Sequence, residues 1–192
     1  MMTLYFAPGS SSMAPHIALH EVGARFDAVP MSFKRRDMDK PAYLAINPEG
    51  KVPALVIDGR PLTEVAAILF YLARTFPEAE LWPDAVDDQA QAISWMSFTA
   101  ATLHPARAIG IDHAKRVYAI AERRLGARTW VAGRYSIADI HLFRLFWRFS
   151  NSLRPPRGDF QALFAHYDRM MTRDAVKRTI AAESAIGYEL PA

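Results

Sequence analysis

The sequence contains no cysteine among its 192 residues. That absence excludes disulfide scaffolds, thiolate metal sites and a cysteine nucleophile. No apolar run reaches the roughly 18 residues that a membrane-spanning helix requires, so we expect no membrane association. The chain opens directly on an alternating apolar run without a basic leader, and we therefore expect a cytoplasmic protein.

Concentrated positive charge is also lacking, although the formal net charge is +3. The densest basic run, residues 34–36, is followed at once by Asp37 and Asp39. A nucleic-acid-binding surface shows a basic patch or stripe, so no nucleic-acid partner is expected. The histidines have no metal-ligand spacing, and we expect no metal.

The first half of the chain alternates short β-like runs with helical ones. Residues 3–7 and 26–33 are typical of strands, and helical periodicity follows each of them. The segment 52–57 and the pair Leu62-Thr63 flank Asp58-Gly59, which is typical of a hairpin turn. This order predicts a small mixed sheet covered by helices.

The β signals end near residue 87, and only helical periodicity follows. The stretch that precedes it contains Pro77 and Pro83 and resembles a linker. The predicted division is a domain of residues 1–77, a linker of residues 78–86 and an all-helical domain of residues 87–192. The predicted helical segments of the second domain are residues 87–104, 113–125, 137–150, 160–171 and 174–183.

Several motifs resemble those of glutathione transferases, and most closely those of the bacterial beta class. They are residues 5–12 (YFAPGSSS), 47–55 (NPEGKVPAL) and 62–68 (LTEVAAI), with residues 136–139 (SIAD) resembling the family's capping box. The resemblance implies an α/β thioredoxin-like N-terminal domain followed by an all-α helical C-terminal domain.

The resemblance also implies an activity. A protein of this kind activates the thiol of glutathione, its co-substrate, for attack on a small electrophile, serves detoxification and forms a homodimer. A rival hypothesis is a non-catalytic, transferase-like binding or interaction protein. The matching Pro53 and Glu64 favour ligand binding, whereas Ser11 in place of the beta-class cysteine, and Val65, favour the rival.

Two segments are implied to bind the glutathione backbone. The resemblance implies a cis peptide between Val52 and Pro53, where the ligand pairs with Val52 as a short added strand. Glu64 lies where a helix begins. The free N–H groups and the dipole at that helix N-terminus favour binding of the ligand's carboxylate, and the side chain of Glu64 can pair with the ligand's ammonium. Val65 replaces the family's frequent Ser or Gly and leaves only its main-chain N–H. The structural alternatives are a plain loop proline and an acidic residue that stabilises its own helix.

The resemblance places Ser11 at the position of the beta-class catalytic cysteine. A hydroxyl at a helix N-terminus can donate to a thiolate and lower the thiol pKa, but serine is also a favoured N-cap. Ser12 is the second candidate donor and Tyr5 the third. His104 matches a histidine that the beta class supplies from its helical domain. Pro105 biases His104 away from helical geometry.

Lys51 and the run that begins with Lys34 are candidates for the glycyl carboxylate of glutathione. Solvated charges are the alternative interpretation for both. Ser136 and Asp139 are interpreted as a structural capping box without a ligand.

Overall fold

The computed structural model describes residues 1–189, which form two compact units. One unit comprises Met1–Ala79 and the described residues from Asp174 onward, and the other comprises Glu80–Arg173. The first boundary, between Ala79 and Glu80, lies within the predicted linker. The predicted division differs at the C-terminal end, where the last helix belongs to the first unit. Residues 190–192, which the predicted second domain includes, lie outside the described residues.

The first unit is built on a four-stranded mixed sheet with strand order β2-β1-β3-β4. The positive φ angles of Asp58 and Gly59, 48° and 82°, are those of a type I′ turn, and the predicted hairpin β3-β4 is confirmed. In chain order the elements are β1 (Met2–Phe6), α1 (Met13–Glu21), β2 (Phe26–Pro30), α2 (Pro41–Leu44), β3 (Ala54–Ile57), β4 (Arg60–Thr63) and α3 (Val65–Thr75).

One end of every strand lies along the same edge of this sheet. Because β1 and β2 are parallel and β3 is antiparallel to both β1 and β4, the C-terminal ends of β1, β2 and β4 lie beside the N-terminal end of β3. Tyr5 is opposite both Val29 and Ala54, and Ala54 is opposite Thr63. We call this the site edge; it carries residues 7–12, 31–34, 52–53 and 64–65.

The second unit is helical, and its predicted capping box is confirmed. Ser136 Oγ accepts from the Ala138 N–H at 3.3 Å, and Asp139 Oδ2 accepts from the Ser136 N–H at 2.9 Å. Asp139 also binds the Val131 N–H and His166 through Oδ1, so its role is structural. The helices are α4 (Val86–Phe98), α5 (His104–Ile109), α6 (Ile111–Leu125), α7 (Ile137–Leu153) and α8 (Gln161–Thr172).

A π-helical turn, Thr99–Leu103, joins α4 to α5. His104 has helical geometry, with φ −62° and ψ −50°, so the expected bias of Pro105 against that geometry does not prevail here. Pro105 lies in the first turn of α5, where its missing N–H removes no helical hydrogen bond. Gly110 alone separates α5 from α6.

The last described helix, α9 (Asp174–Ile186), packs on α1 within the first unit. Val176, Thr179 and Glu183 are fully buried there. This helix was predicted to belong to the second domain, because helical periodicity alone does not say which surface a helix covers. Among residues 1–189, no helix combines the length and the apolar character needed to cross a membrane.

Candidate active site

The Val52–Pro53 peptide bond is cis, as the resemblance implied. The residue before it is held firmly: the Lys51 carbonyl accepts from the Tyr43 hydroxyl at 2.5 Å and from Asn47 Nδ2 at 2.7 Å. Burial raises the pKa of Tyr43 to about 12, which keeps its hydroxyl protonated for this bond. The segment at the cis bond is therefore fixed before any ligand arrives.

Val52, which precedes the cis bond, has one backbone group paired and one unpaired. The residue is buried, and its side chain belongs to a cluster with Ala7 and Met31. Its carbonyl accepts from Ser11 Oγ at 3.2 Å, whereas its N–H donates to no group within residues 1–189. This N–H is therefore available to a hydrogen-bond partner at the site edge.

Ser11 is half-buried beside Val52, and the structure does not show it capping a helix. Helix α1 begins at Met13, and its N-cap residue, Ser12, makes no side-chain capping hydrogen bond. The hydroxyl of Ser11 reaches across to β3 instead. Ser12 thus occupies the N-cap position of α1, but neither Ser11 nor Ser12 caps the helix with its side chain.

Ser12 is fully buried and bound to the residues before it. Its Oγ accepts from the Ala7 N–H at 3.1 Å and lies 3.1 Å from the Ala7 carbonyl and 2.6 Å from Ser10 Oγ. These contacts close the loop that carries Ser11. They leave no exposed surface on Ser12 for a ligand.

A buried carboxylate of α9 supports the same loop. Glu183 Oε2 accepts from the Gly9 N–H at 2.6 Å, and Oε1 lies 2.9 Å from Nδ1 of the buried His16. Glu183 was not among the residues predicted from the sequence to form the site. The available signal is its spacing, four residues after Thr179 and seven after Val176, which places it on the buried face of the helix.

Glu64 precedes α3 in a backbone conformation that residues other than glycine rarely adopt, with φ 68° and ψ 125°. Such conformations cluster at functional sites. Its exposed carboxylate makes no hydrogen bond or ion pair within residues 1–189, and it does not cap its own helix. Because Ala54 is opposite Thr63, Glu64 lies at the same edge as Val52.

The other predicted binding residues of the first unit differ in their surroundings. Tyr5 and Tyr43 line a cavity of about 260 Å³, and their ring centroids are 5.6 Å apart. Lys51 is exposed and its Nζ donates to Glu49 at 3.1 Å. Lys34 is exposed at the site edge.

His104 belongs to the second unit, where it opens α5. His104 is exposed as a whole residue, but partial desolvation of its imidazole, and then the positive charge of Arg144, lower the pKa of the ring. A neutral imidazole at neutral pH can accept or donate one proton. Within residues 1–189 no cluster of three or more metal-ligating side chains is found.

Comparison with known proteins identifies the family. Residues 1–74 match the model of the glutathione S-transferase N-terminal domain, and residues 86–174 match that of the C-terminal domain. The glutathione S-transferase GstA of Escherichia coli O157:H7 is 30% identical over 199 residues, covering 95% of this chain and 98% of that protein.

Solved structures give the same result. The beta-class glutathione S-transferase of Sphingomonas chungbukensis is 33% identical with a TM-score of 0.82, covering 95% of this chain and 98% of that one. A sphingomonad glutathione S-transferase complexed with glutathione is 32% identical with a TM-score of 0.82, covering 94% and 98%. This chain belongs to the glutathione S-transferase family, and the predicted thioredoxin-like and helical fold is confirmed.

Proposed function

We propose that this protein is a glutathione transferase that binds glutathione along the site edge and activates its thiol for attack on a small electrophile. The observation that carries the proposal is the unpaired N–H of the buried Val52 beside the hydroxyl of Ser11. A ligand that pairs with Val52 as an added strand brings its own side chain next to that hydroxyl. This arrangement favours a thiol-activating enzyme over a non-catalytic binding protein.

The peptide backbone of glutathione is held at two places. Its cysteinyl unit pairs with Val52, as in other cases of strand addition. The γ-glutamyl end lies at the start of α3, where the Glu64 carboxylate pairs with the ammonium and the Val65 N–H donates to the carboxylate. The unpartnered Glu64 carboxylate supports this assignment.

Ser11 is the proposed donor to the sulfur. Its hydroxyl donates to the Val52 carbonyl, the atom that the cysteinyl N–H of the ligand needs as acceptor. Binding therefore releases the hydroxyl of Ser11, which turns to the sulfur and favours the thiolate over the thiol. The thiolate then attacks the electrophile, forming a carbon–sulfur bond as the leaving group departs. Ser12 is not proposed, because its hydroxyl is buried on Ala7.

Further residues and properties complete the proposal. His104 is kept as the residue that the family resemblance implies for proton exchange with the thiol. Lys34 attracts the glycyl carboxylate; Lys51 has a weaker claim, since it is paired with Glu49. We further propose a cytoplasmic homodimer that acts in detoxification.

Two measurements test the activity itself. Calorimetric titration with glutathione is expected to show saturable binding, and an assay with glutathione and an activated aryl halide is expected to show thioether formation. Binding without any turnover of several electrophile classes supports the non-catalytic alternative. Absence of both results contradicts the proposed function.

Glu64→Gln is expected to weaken glutathione binding about tenfold. A hydrogen bond to a charged group contributes about 1.5 kcal/mol or more to the binding free energy, and that amount corresponds to a tenfold change in the dissociation constant. The isosteric amide keeps the shape and removes the charge that the ammonium meets. The matched control is Glu78→Gln, at an exposed acid of the same unit that lies outside the site edge. Equal dissociation constants for the two variants contradict a role for Glu64 in binding.

A further inference from the structure

A second carboxylate-binding feature lies at the end of β2, and a residue of the same chain fills it. Glu189 accepts from Ser32 Oγ at 2.8 and 3.0 Å and from the Lys34 N–H at 3.1 Å. These donors, the Lys34 N–H first, lower the pKa of the Glu189 carboxyl, which therefore stays ionised at neutral pH. We call the Ser32 hydroxyl and the Lys34 N–H the carboxylate site.

The carboxylate site is built by its own loop. Ser32 is only 5% exposed, and its Oγ accepts from the Arg35 N–H at 3.0 Å, which directs the hydroxyl proton toward Glu189. Asp37 closes the loop, because Oδ2 accepts from the Ser32 N–H at 2.9 Å while the Ser32 carbonyl accepts from the Asp37 N–H at 3.1 Å. Lys40 donates to the other Asp37 oxygen at 2.6 Å. The donors are thus preorganised independently of Glu189.

The distance from the carboxylate site to Glu64 matches the length of glutathione. With strand order β2-β1-β3-β4, the site edge carries, in this order, Ser32, Ser11, Val52 and Glu64. Neighbouring strands are about 4.8 Å apart, so the span from β2 to β4 is about 14 Å. Three extended residues reach about 11 Å, and the γ-glutamyl linkage adds two further bonds. With the γ-glutamyl end at Glu64 and the thiol at Ser11, the glycyl carboxylate falls at the end of β2.

We propose that the carboxylate site binds the glycyl carboxylate of glutathione and that Glu189 competes with the ligand for it. The inference rests on the proposed function. The hydroxyl of Ser32 has one proton, and two carboxylates at the same donors repel each other, so occupation by Glu189 and by the ligand is mutually exclusive. Ser32 is thereby added to the binding residues, and Glu189 becomes an internal inhibitor.

Glu189 is joined to the fold in a way that allows a ligand to displace it from the carboxylate site. Helix α9 ends at Ile186, and Gly187 follows with a φ of 97° and an N–H bond to the Glu183 carbonyl. Glu189 is therefore held on a short segment beyond a firmly packed helix. A group tethered in this way has an effective concentration of about millimolar order, which glutathione at comparable concentration can overcome.

The test compares two ligands on matched proteins. Dissociation constants are measured by calorimetry for glutathione and for its glycyl monoethyl ester, with wild type, Glu189→Gln and Asp27→Asn. Asp27 is an exposed acid on β2, so its variant loses the same charge in the same unit. If Glu189 fills the site nine-tenths of the time, Glu189→Gln binds glutathione about tenfold more tightly than wild type. The ester lacks the competing carboxylate, so its dissociation constant stays the same in all three proteins.

A second variant tests the site without changing the tail. Ser32→Ala is expected to weaken glutathione binding severalfold while leaving ester binding nearly unchanged. Glutathione binding that is unchanged or weaker in Glu189→Gln, or an ester that gains as much as glutathione, overturns the competition. If glutathione binds none of the proteins, the proposed function fails, and this inference fails with it.

Discussion

Glu183→Ala is expected to lower the free energy of unfolding by about 2–6 kcal/mol, because two buried hydrogen bonds are lost and each buried group left without its partner costs about 1–3 kcal/mol. Glu183 is fully buried, and its loss leaves His16 and the Gly9 N–H without their acceptor. Urea denaturation followed by circular dichroism measures the change.

Two further variants serve as controls for the loss of stability in Glu183→Ala. Glu183→Gln retains an oxygen for the Gly9 N–H and is expected to lose less stability than the alanine variant. Asp174→Asn changes an exposed acid in the first turn of the same helix, which is paired with Lys177, and is expected to cost no more than about 1 kcal/mol. An alanine variant as stable as Asp174→Asn contradicts the supporting role of Glu183.

Ser11→Ala is expected to raise the pKa of the bound glutathione thiol by about 1–2 units. The donated hydrogen bond stabilises the charged thiolate by about 1.5–3 kcal/mol, and one pKa unit corresponds to 1.36 kcal/mol. A donor to the thiolate lowers the thiol pKa, so its removal raises that pKa and reduces turnover at neutral pH about 10- to 100-fold. The ultraviolet absorbance of the thiolate, titrated against pH in the complex, measures the shift.

The same titration on Ser12→Ala and Tyr5→Phe supplies the comparison. Both variants are expected to keep the wild-type midpoint, and Ser11→Ala is expected to keep nearly the wild-type affinity, because the peptide is held at Val52 and Glu64. A midpoint that moves only in Ser12→Ala or Tyr5→Phe assigns the thiol donor to another hydroxyl.

The features that the sequence predicted correctly depend on local chemistry. Asp58-Gly59 predicted the hairpin because few residues adopt positive φ, and the capping box at Ser136 and Asp139 is defined by its spacing. Both signals lie within four residues of chain. The motif around Pro53 likewise predicted the cis bond through the family resemblance.

The features that the sequence did not predict depend on distant parts of the chain. Three consecutive serines are chemically equal, and only the turn of the loop buries Ser12 on Ala7 while directing Ser11 to Val52. Pro105 disfavours a helix locally, but a preceding π-helical turn accommodates it. Glu183 differs from a solvated acid only because α9 packs on α1.

The contact between Gly9 and Glu183 joins residues 174 positions apart, which has a consequence for biosynthesis. Domains generally fold from the N-terminus as the ribosome makes them. Here the β-sheet and α1 leave the ribosome long before the helix that secures their loop. The serine loop therefore reaches its final form only after the entire helical unit and α9 have been translated, and a chain that stops before α9 carries the reactive end of its sheet without its buried acid.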